Sequence, residues 1–159
     1  MENLAHSLYI FQFLYSNKSA NYQKKSIKLK LWQFLIVCLN NDHMKNTILW
    51  GRELGHFMIL NGDELAKQWG NHKQNSKMDY TKLCRALRNY QNEEIITKLE
   101  RNRKSYIFNF STIYTKLNIS EPNLLDLYHI MQKRSSSELF LNFIQVLKYD
   151  RTRTIYAIP

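Results

Sequence analysis

The chain has 159 residues and a formal net charge of +10, and 44% of its residues are hydrophobic. That hydrophobic share is ordinary for a globular protein, whereas the charge favours an anionic partner such as nucleic acid, an acidic protein or a membrane surface. Two cysteines outside any C-x-x-C pair argue against a disulfide framework or a zinc site, and no apolar run approaches the roughly 18 residues of a membrane span.

The regular patterns begin after an N-terminal extension, residues 1–27. Its run LYIFQFLY follows no basic segment, so we expect a helix or strand that docks on the core rather than a signal peptide. In LWQFLIVCLNND, apolar residues at helical spacing end in Asn and Asp, which predicts the first core helix. TILWGRELGHFMIL then predicts two short strands joined by a turn at Gly51 to Gly55.

A second helix is predicted in NGDELAKQWGNHK. Asn61 is a suitable N-cap, and an acidic residue stands three positions later, as in a capping box. Leu65, Ala66 and Trp69 share one face, and Gly70 suits the C-terminal end of the helix.

The third helix is predicted in KMDYTKLCRALRNY, with Asp79 as its N-cap. IITKLERNRKSYIFNF then predicts two strands around a charged tip, with Tyr106, Phe108 and Phe110 alternating onto one side. Two helices joined by a short turn, with small antiparallel strands beside them, form a winged helix-turn-helix. The predicted fold class is therefore α+β, with three helices, a small antiparallel four-stranded sheet and flanking C-terminal helices.

The third helix separates an apolar face from a basic face at about 100° per residue. The apolar face comprises Leu83, Ala86, Leu87 and Tyr90, and the opposite face comprises Thr81, Arg85, Arg88 and Asn92. No Asp or Glu stands three or four positions from Arg85 or Arg88, so the usual helical ion pair is missing. A solvated basic face is one explanation. DNA reading is the other, because the arginine fork matches guanine O6 and N7 in the major groove.

Six segments in order resemble the ETS domain, a family of winged helix-turn-helix DNA-binding proteins. They are LWQFL, ILW, LAKQWG, KMDYTKLCRALRNY, EIITK and RKSYIF, and the resemblance covers residues 28–110. It implies binding to duplex DNA with a GGA core, with Arg85 and Arg88 reading the two guanines. It also implies phosphate contacts from the amide of Leu31 and from Trp69, Lys77, Tyr80, Lys82, Lys98 and Arg103.

The chain departs from the family pattern at several positions. Asn89 stands where the family usually has a tyrosine; Asn can bond adenine or water, so we count it among the base-reading residues while the flanking preference stays open. LNGD replaces an Asp-Pro before the second helix, which we expect to change only a cap. Arg101 and Lys104 replace a wing Gly and a wing Tyr.

Other kinds of site find little support in the sequence. The five histidines show no metal-binding spacing, no Gly-rich phosphate loop is present, and Cys84 has no adjacent base. With no acid–base or nucleophile set, we expect neither an enzyme nor a cofactor or metal.

Two further helical patterns follow the ETS-like region, within residues 111–159. The first stacks Leu124, Tyr128 and Met131 with Leu127 beside them, and the second stacks Leu139, Phe140, Phe143, Ile144 and Leu147. Both apolar faces are too wide to leave in water. They either pair and pack on the winged-helix core or form a surface for a protein partner or self-association.

Together these patterns predict a sequence-specific duplex DNA-binding transcription factor that acts in the nucleus, binds double-stranded DNA as a monomer and does not associate with membranes. The alternative is a degenerate ETS module that acts as a protein–protein interaction domain.

Overall fold

The computed structural model describes residues 2–16, 29–99 and 104–132. These residues form two compact units. The central unit lies within Lys28–Ile119, and the terminal unit combines described residues of Met1–Ile27 and Ser120–Pro159. The helices are α1 (Glu2–Ser16), α2 (Leu31–Leu39), α3 (Gly62–Lys73), α4 (Tyr80–Asn92), α5 (Phe110–Leu117) and α6 (Leu124–Gln132), with a short 3-10 helix at Asp42–Met44. The strands are β1 (Ile48–Trp50), β2 (His56–Ile59), β3 (Ile96–Lys98) and β4 (Ser105–Phe108).

The four strands form one antiparallel sheet in the order β1-β2-β4-β3. Phe57 of β2 lies opposite Trp50 on one side and Tyr106 on the other, and its ring stacks on Tyr106 and Phe108. The predicted alternation holds for Tyr106 and Phe108, which are buried in β4. It is wrong for Phe110, which is buried but begins α5, because the chain leaves the strand at Asn109.

Helix α2 forms the centre of the core, since every one of its nine residues is buried. Asn40, the C-cap of α2, accepts a hydrogen bond from the indole Nε1 of Trp50 at 3.1 Å, and its side-chain amide donates to the carbonyl of Ile36. These bonds join the end of α2 to the first strand. The observed helices and sheet confirm the winged helix-turn-helix fold predicted from the sequence.

The predicted N-caps of the helix-turn-helix pair are confirmed. The side chain of Asn61 accepts from the amide of Glu64, and that of Asp79 accepts from the amide of Lys82. The expectation that α3 ends at Gly70 is wrong, because the helix continues to Lys73.

Gly70 has a different role, which is to let the turn between α3 and α4 close. A Cβ atom at this position would lie 2.7 Å from the carbonyl oxygen of Asn75 and 2.8 Å from the Cβ of Met78. The amide of Asn75 also donates to the carbonyl of Gly70 at 2.8 Å. Only glycine permits the two helices to be joined so closely.

In the terminal unit, α1 and α6 pack against each other. The stripe predicted for α6 is wrong, because Leu127 and Ile130 are buried whereas Leu124 is 80% exposed and Tyr128 is 61% exposed. The helix is rotated so that the i, i+3 pair turns inward. The second predicted helix, residues 139–147, lies outside the described residues. Within the described ranges, no helix is long and apolar enough to cross a membrane.

Replacing Gly70 with Ala tests the close approach at the turn. At an open helical site this change would stabilise the protein by up to about 1 kcal/mol. Here we expect a loss of about 1–3 kcal/mol in the free energy of unfolding, because the backbone must shift. Denaturant unfolding measures the difference, with the exposed neighbour Asn71→Ala as control. A gain in stability at position 70 would contradict the assigned role.

Candidate nucleic-acid interface

Helix α4 is oriented by its two fully buried leucines. Leu83 and Leu87 are both 0% exposed, whereas Arg85, Arg88 and Asn89 are exposed. Since the leucine pair occupies one side of the helix, the arginines project from the other side, as the helical spacing predicts. The three residues predicted to read bases therefore share one outward surface.

The arginine charges are available to a ligand. Among the described residues, neither Arg85 nor Arg88 forms an ion pair. The ion pair between Lys116 and Glu93 joins two side chains that are about half exposed, and it leaves the arginine face untouched. Two unpaired cations one helical turn apart repel each other mildly. An anionic or strongly hydrogen-bond-accepting partner would remove that repulsion.

The N-terminal end of α4 adds two more cations to this surface. Lys77 is exposed, and its amide donates to the side chain of Asn75 at 3.0 Å. The ammonium of Lys82 donates to the carbonyl of Lys77 at 2.6 Å. Cations at a helix N-terminus oppose the helix dipole, so the pair destabilises the free protein slightly and becomes favourable beside a phosphate.

Tyr80, the first residue of α4, is partly buried, and its hydroxyl forms a hydrogen bond with Cys84. Burial, reinforced by a hydrogen bond with Cys84, raises the pKa of the Tyr80 hydroxyl well above its ordinary value. Like any tyrosine near pH 7, Tyr80 is neutral, and its hydroxyl carries one proton that can be donated to a phosphate oxygen.

The LNGD departure does more than change a cap, because Gly62 makes room for the ring of Tyr80. A Cβ atom at Gly62 would lie 2.5 Å from the nearest carbon of that ring. The absence of a side chain at Gly62 thus leaves the space that the Tyr80 ring occupies.

Trp69 is largely a core residue. It is 6% exposed, and its ring lies 5.1 Å from that of Phe34 and 5.5 Å from that of His72. The ammonium of Lys73 stands 5.0 Å from the centre of the Trp69 ring, close enough for a cation–π interaction. Lys73 was not among the predicted site residues, although its i, i+4 spacing from Trp69 was a usable signal.

The remaining predicted residues lie on other elements of the central unit. Leu31 begins α2, where the preceding amide of Lys30 donates to the side chain of Gln33 at 3.0 Å. Lys98 is exposed at the end of β3, opposite Tyr106 of β4. Arg103 lies outside the described residues. Six of the predicted residues already lie within one short stretch of sequence that comprises α4 and the turn before it: Lys77, Tyr80, Lys82, Arg85, Arg88 and Asn89.

A separate cleft of about 430 Å³ lies between the end of α4 and the start of α5. One of its two amide side chains, Asn109, donates to the carbonyl of Glu94 at 2.7 Å and to the hydroxyl of Thr97 at 3.0 Å. The cleft lining holds one carboxylate, that of Glu94. In the part of the chain that the structure describes, no group of three His, Cys, Asp or Glu residues could hold a metal ion.

Comparison with known proteins finds a family match over the same part of the chain. The Ets-domain family model matches residues 28–110. The chain is 36% identical over 112 residues to the transcriptional regulator Erg of Gallus gallus, covering 70% of this chain and 23% of that protein. It is 39% identical over 84 residues to the transcriptional regulator ERG homolog of Lytechinus variegatus, covering 53% of this chain and 49% of that protein.

A third relative is the DNA-binding protein D-ETS-3 of Drosophila melanogaster, which is 39% identical over 83 residues. That match covers 52% of this chain and 17% of the relative. The chain therefore matches less than half the length of each of these three relatives.

The orientation of α4 can be tested by shortening one side chain on each of its two faces in separate variants. Leu87→Ala should lower the free energy of unfolding by about 2–5 kcal/mol, because it opens a cavity in the core. Arg88→Ala, one residue away, should change it by less than about 0.5 kcal/mol. Chemical denaturation of both variants measures the contrast. Similar losses in the two variants would contradict the assigned orientation.

Proposed function

Because the chain belongs to the Ets-domain family, we propose that it is a sequence-specific duplex DNA-binding transcription factor that recognises a GGA-core site. The observation that carries the proposal is the outer surface of α4, where Arg85 and Arg88 are exposed and unpaired among the described residues. Helix α4 lies in the major groove, and the basic turn before it contacts the backbone.

The spacing of the two arginines suits adjacent guanines. Three residues of helix advance about 4.5 Å along the axis, and successive bases of one strand are about 3.4 Å apart. Each guanidinium can form two hydrogen bonds with O6 and N7 of one guanine. Asn89 follows directly and reads a flanking base through adenine or through water.

The phosphate contacts come from the first turn of α4 and from the elements around this helix. Their residues are the amide of Leu31 and the side chains of Trp69, Lys77, Tyr80, Lys82, Lys98 and Arg103. The position of the Lys73 ammonium over Trp69 supports adding Lys73 to this set. Such contacts set the register of the protein on the duplex without reading its sequence. The net charge of +10 supports the same partner.

The cellular role is proposed from the relatives. The two Erg proteins are named transcriptional regulators, and D-ETS-3 is named a DNA-binding protein. The chain accordingly acts on transcription in the nucleus and binds its site as a monomer.

A protein-interaction module is the second candidate function. It is favoured by the terminal unit, where Leu124, Leu125 and Tyr128 of α6 are each more than half exposed. An interaction module without DNA recognition would bind a GGA duplex and a scrambled duplex equally, because only the sequence-independent attraction of its positive charge for phosphates would remain.

The arginine assignment is tested by conservative substitution. Arg85→Lys and Arg88→Lys should each lower the preference for a GGA duplex over a scrambled one by about 1–3 kcal/mol, because lysine lacks the planar fork. Binding to the scrambled duplex should stay nearly constant, since the charge is kept. Fluorescence titrations with both duplexes measure the preference.

Arg52→Lys is the matched control, because Arg52 is an exposed arginine in the turn between β1 and β2. It should leave the preference unchanged. If both α4 variants retained the full preference for GGA, base reading by these arginines would be excluded.

The phosphate assignment is tested with Lys82→Ala. Binding to GGA and scrambled duplexes should weaken by the same factor, and the slope of log K against log salt should fall by about one unit. Lys45→Ala removes one charge from an exposed site between α2 and β1, and it should change neither quantity. A loss confined to the GGA duplex would show that Lys82 reads bases rather than a phosphate.

A further inference from the structure

Tyr90 makes a contact that its place on the apolar face of α4 does not require. It is half-buried and lies on the same face of α4 as the buried Leu83 and Leu87, as the core stripe predicts. Its hydroxyl, however, reaches the first turn of α2, where it accepts a hydrogen bond from the amide of Trp32 at 3.4 Å. Burial raises the pKa of the Tyr90 hydroxyl, and the backbone amides at the start of α2 oppose that rise.

The first turn of α2 needs such an oxygen. The opening amides of a helix have no partner within the helix, and a side chain at the N-cap commonly supplies one. Here the N-cap is Lys30, which makes no hydrogen bond of that kind with its side chain. Tyr90 supplies an acceptor from a different helix, across 58 residues of sequence.

The contact joins the two parts of the proposed DNA interface. Leu31 is the residue whose amide is proposed to bind a phosphate, and Tyr90 follows Arg88 by two positions on α4. A two-residue step turns the side chain by about 200°, so Tyr90 points inward while Arg88 points outward. The phenol is rigid, with two rotatable bonds, and therefore transmits the position of one helix to the other.

We propose that Tyr90 is a positioning residue for DNA binding: its hydroxyl holds the N-terminus of α2 at a fixed place relative to α4, so that the Leu31 amide meets its phosphate when the arginines meet the guanines. This inference rests on the proposed function. It assigns no DNA contact to Tyr90 itself, because the residue acts through the amide of Trp32, which leaves the neighbouring Leu31 amide for the phosphate.

Tyr90→Phe isolates the hydroxyl, since the ring remains to fill the core. We expect affinity for the GGA duplex to fall about three- to tenfold, the size of one ordinary hydrogen bond. In the free protein, the amide resonances of Leu31 and Trp32 should shift and their hydrogen exchange should accelerate. Tyr128→Phe, an equivalent change at an exposed tyrosine of α6, should alter neither property.

Neutralising the phosphates one at a time distinguishes the loss of one phosphate contact from a general loss of packing. A set of GGA duplexes is prepared, each with a single methylphosphonate, and the wild-type protein is titrated against every member. Positions where affinity falls mark the contacted phosphates. In Tyr90→Phe, the loss of affinity caused by the methylphosphonate should be smaller at one of these positions and unchanged at the others. Lys82→Ala should abolish the loss at a different position.

Two results would overturn the inference. One is wild-type affinity of Tyr90→Phe for the unmodified duplex. The other is a loss of affinity that is the same for every neutralised duplex, which would make the hydroxyl a stabiliser of the fold only. Failure of the proposed function looks different, because the wild-type protein would then bind GGA and scrambled duplexes equally. In that case the phosphate scan would show no position that depends on Tyr90.

Discussion

Leu83 and Leu87 of α4 are removed completely from water, and this burial constrains the rest of the central unit. Burying two leucines contributes roughly 1.5–3 kcal/mol each, so the helix cannot rotate about its axis without a large loss of stability. Arg85 and Arg88 are therefore presented outward by the same force that folds the core. Rigid presentation matters, because an arginine that is already oriented loses less entropy when it binds a base.

The packing of α4 against α3 depends on two glycines. At each one, neighbouring atoms fill the space that a side chain would need. Gly70 lies under the backbone of Asn75, and Gly62 lies under the ring of Tyr80. These close approaches bring the start of α4 near the body of α3. The lysines of the turn are thereby placed at the N-terminal end of the proposed reading helix, where the dipole also favours a phosphate.

The local signals in the sequence were reliable where they involved neighbouring residues. The caps Asn61 and Asp79, the two hairpins and the outward face of α4 all depend on spacings of a few residues, and the structure reproduces them. The misses have a common cause. The end of α3, the departure of Phe110 from its strand and the rotation of α6 depend on what each segment meets in space, which periodicity does not report. On α6, Leu124 and Leu127 have equal apolar character, and packing against α1 decides which of them is buried.

The sequence by itself determined the winged-helix order of elements, the pairing of an apolar with a basic face on α4, and membership of the Ets-domain family through its motifs. Tertiary structure alone decided that Lys73 lies over Trp69, that Tyr80 packs on Gly62 and that the hydroxyl of Tyr90 reaches the first amides of α2. The physical reason is the range of the interactions. The residues of a helix stripe or a cap lie within a few positions of each other in the sequence. A hydrogen bond between residues 58 positions apart forms only after the core has brought its partners together.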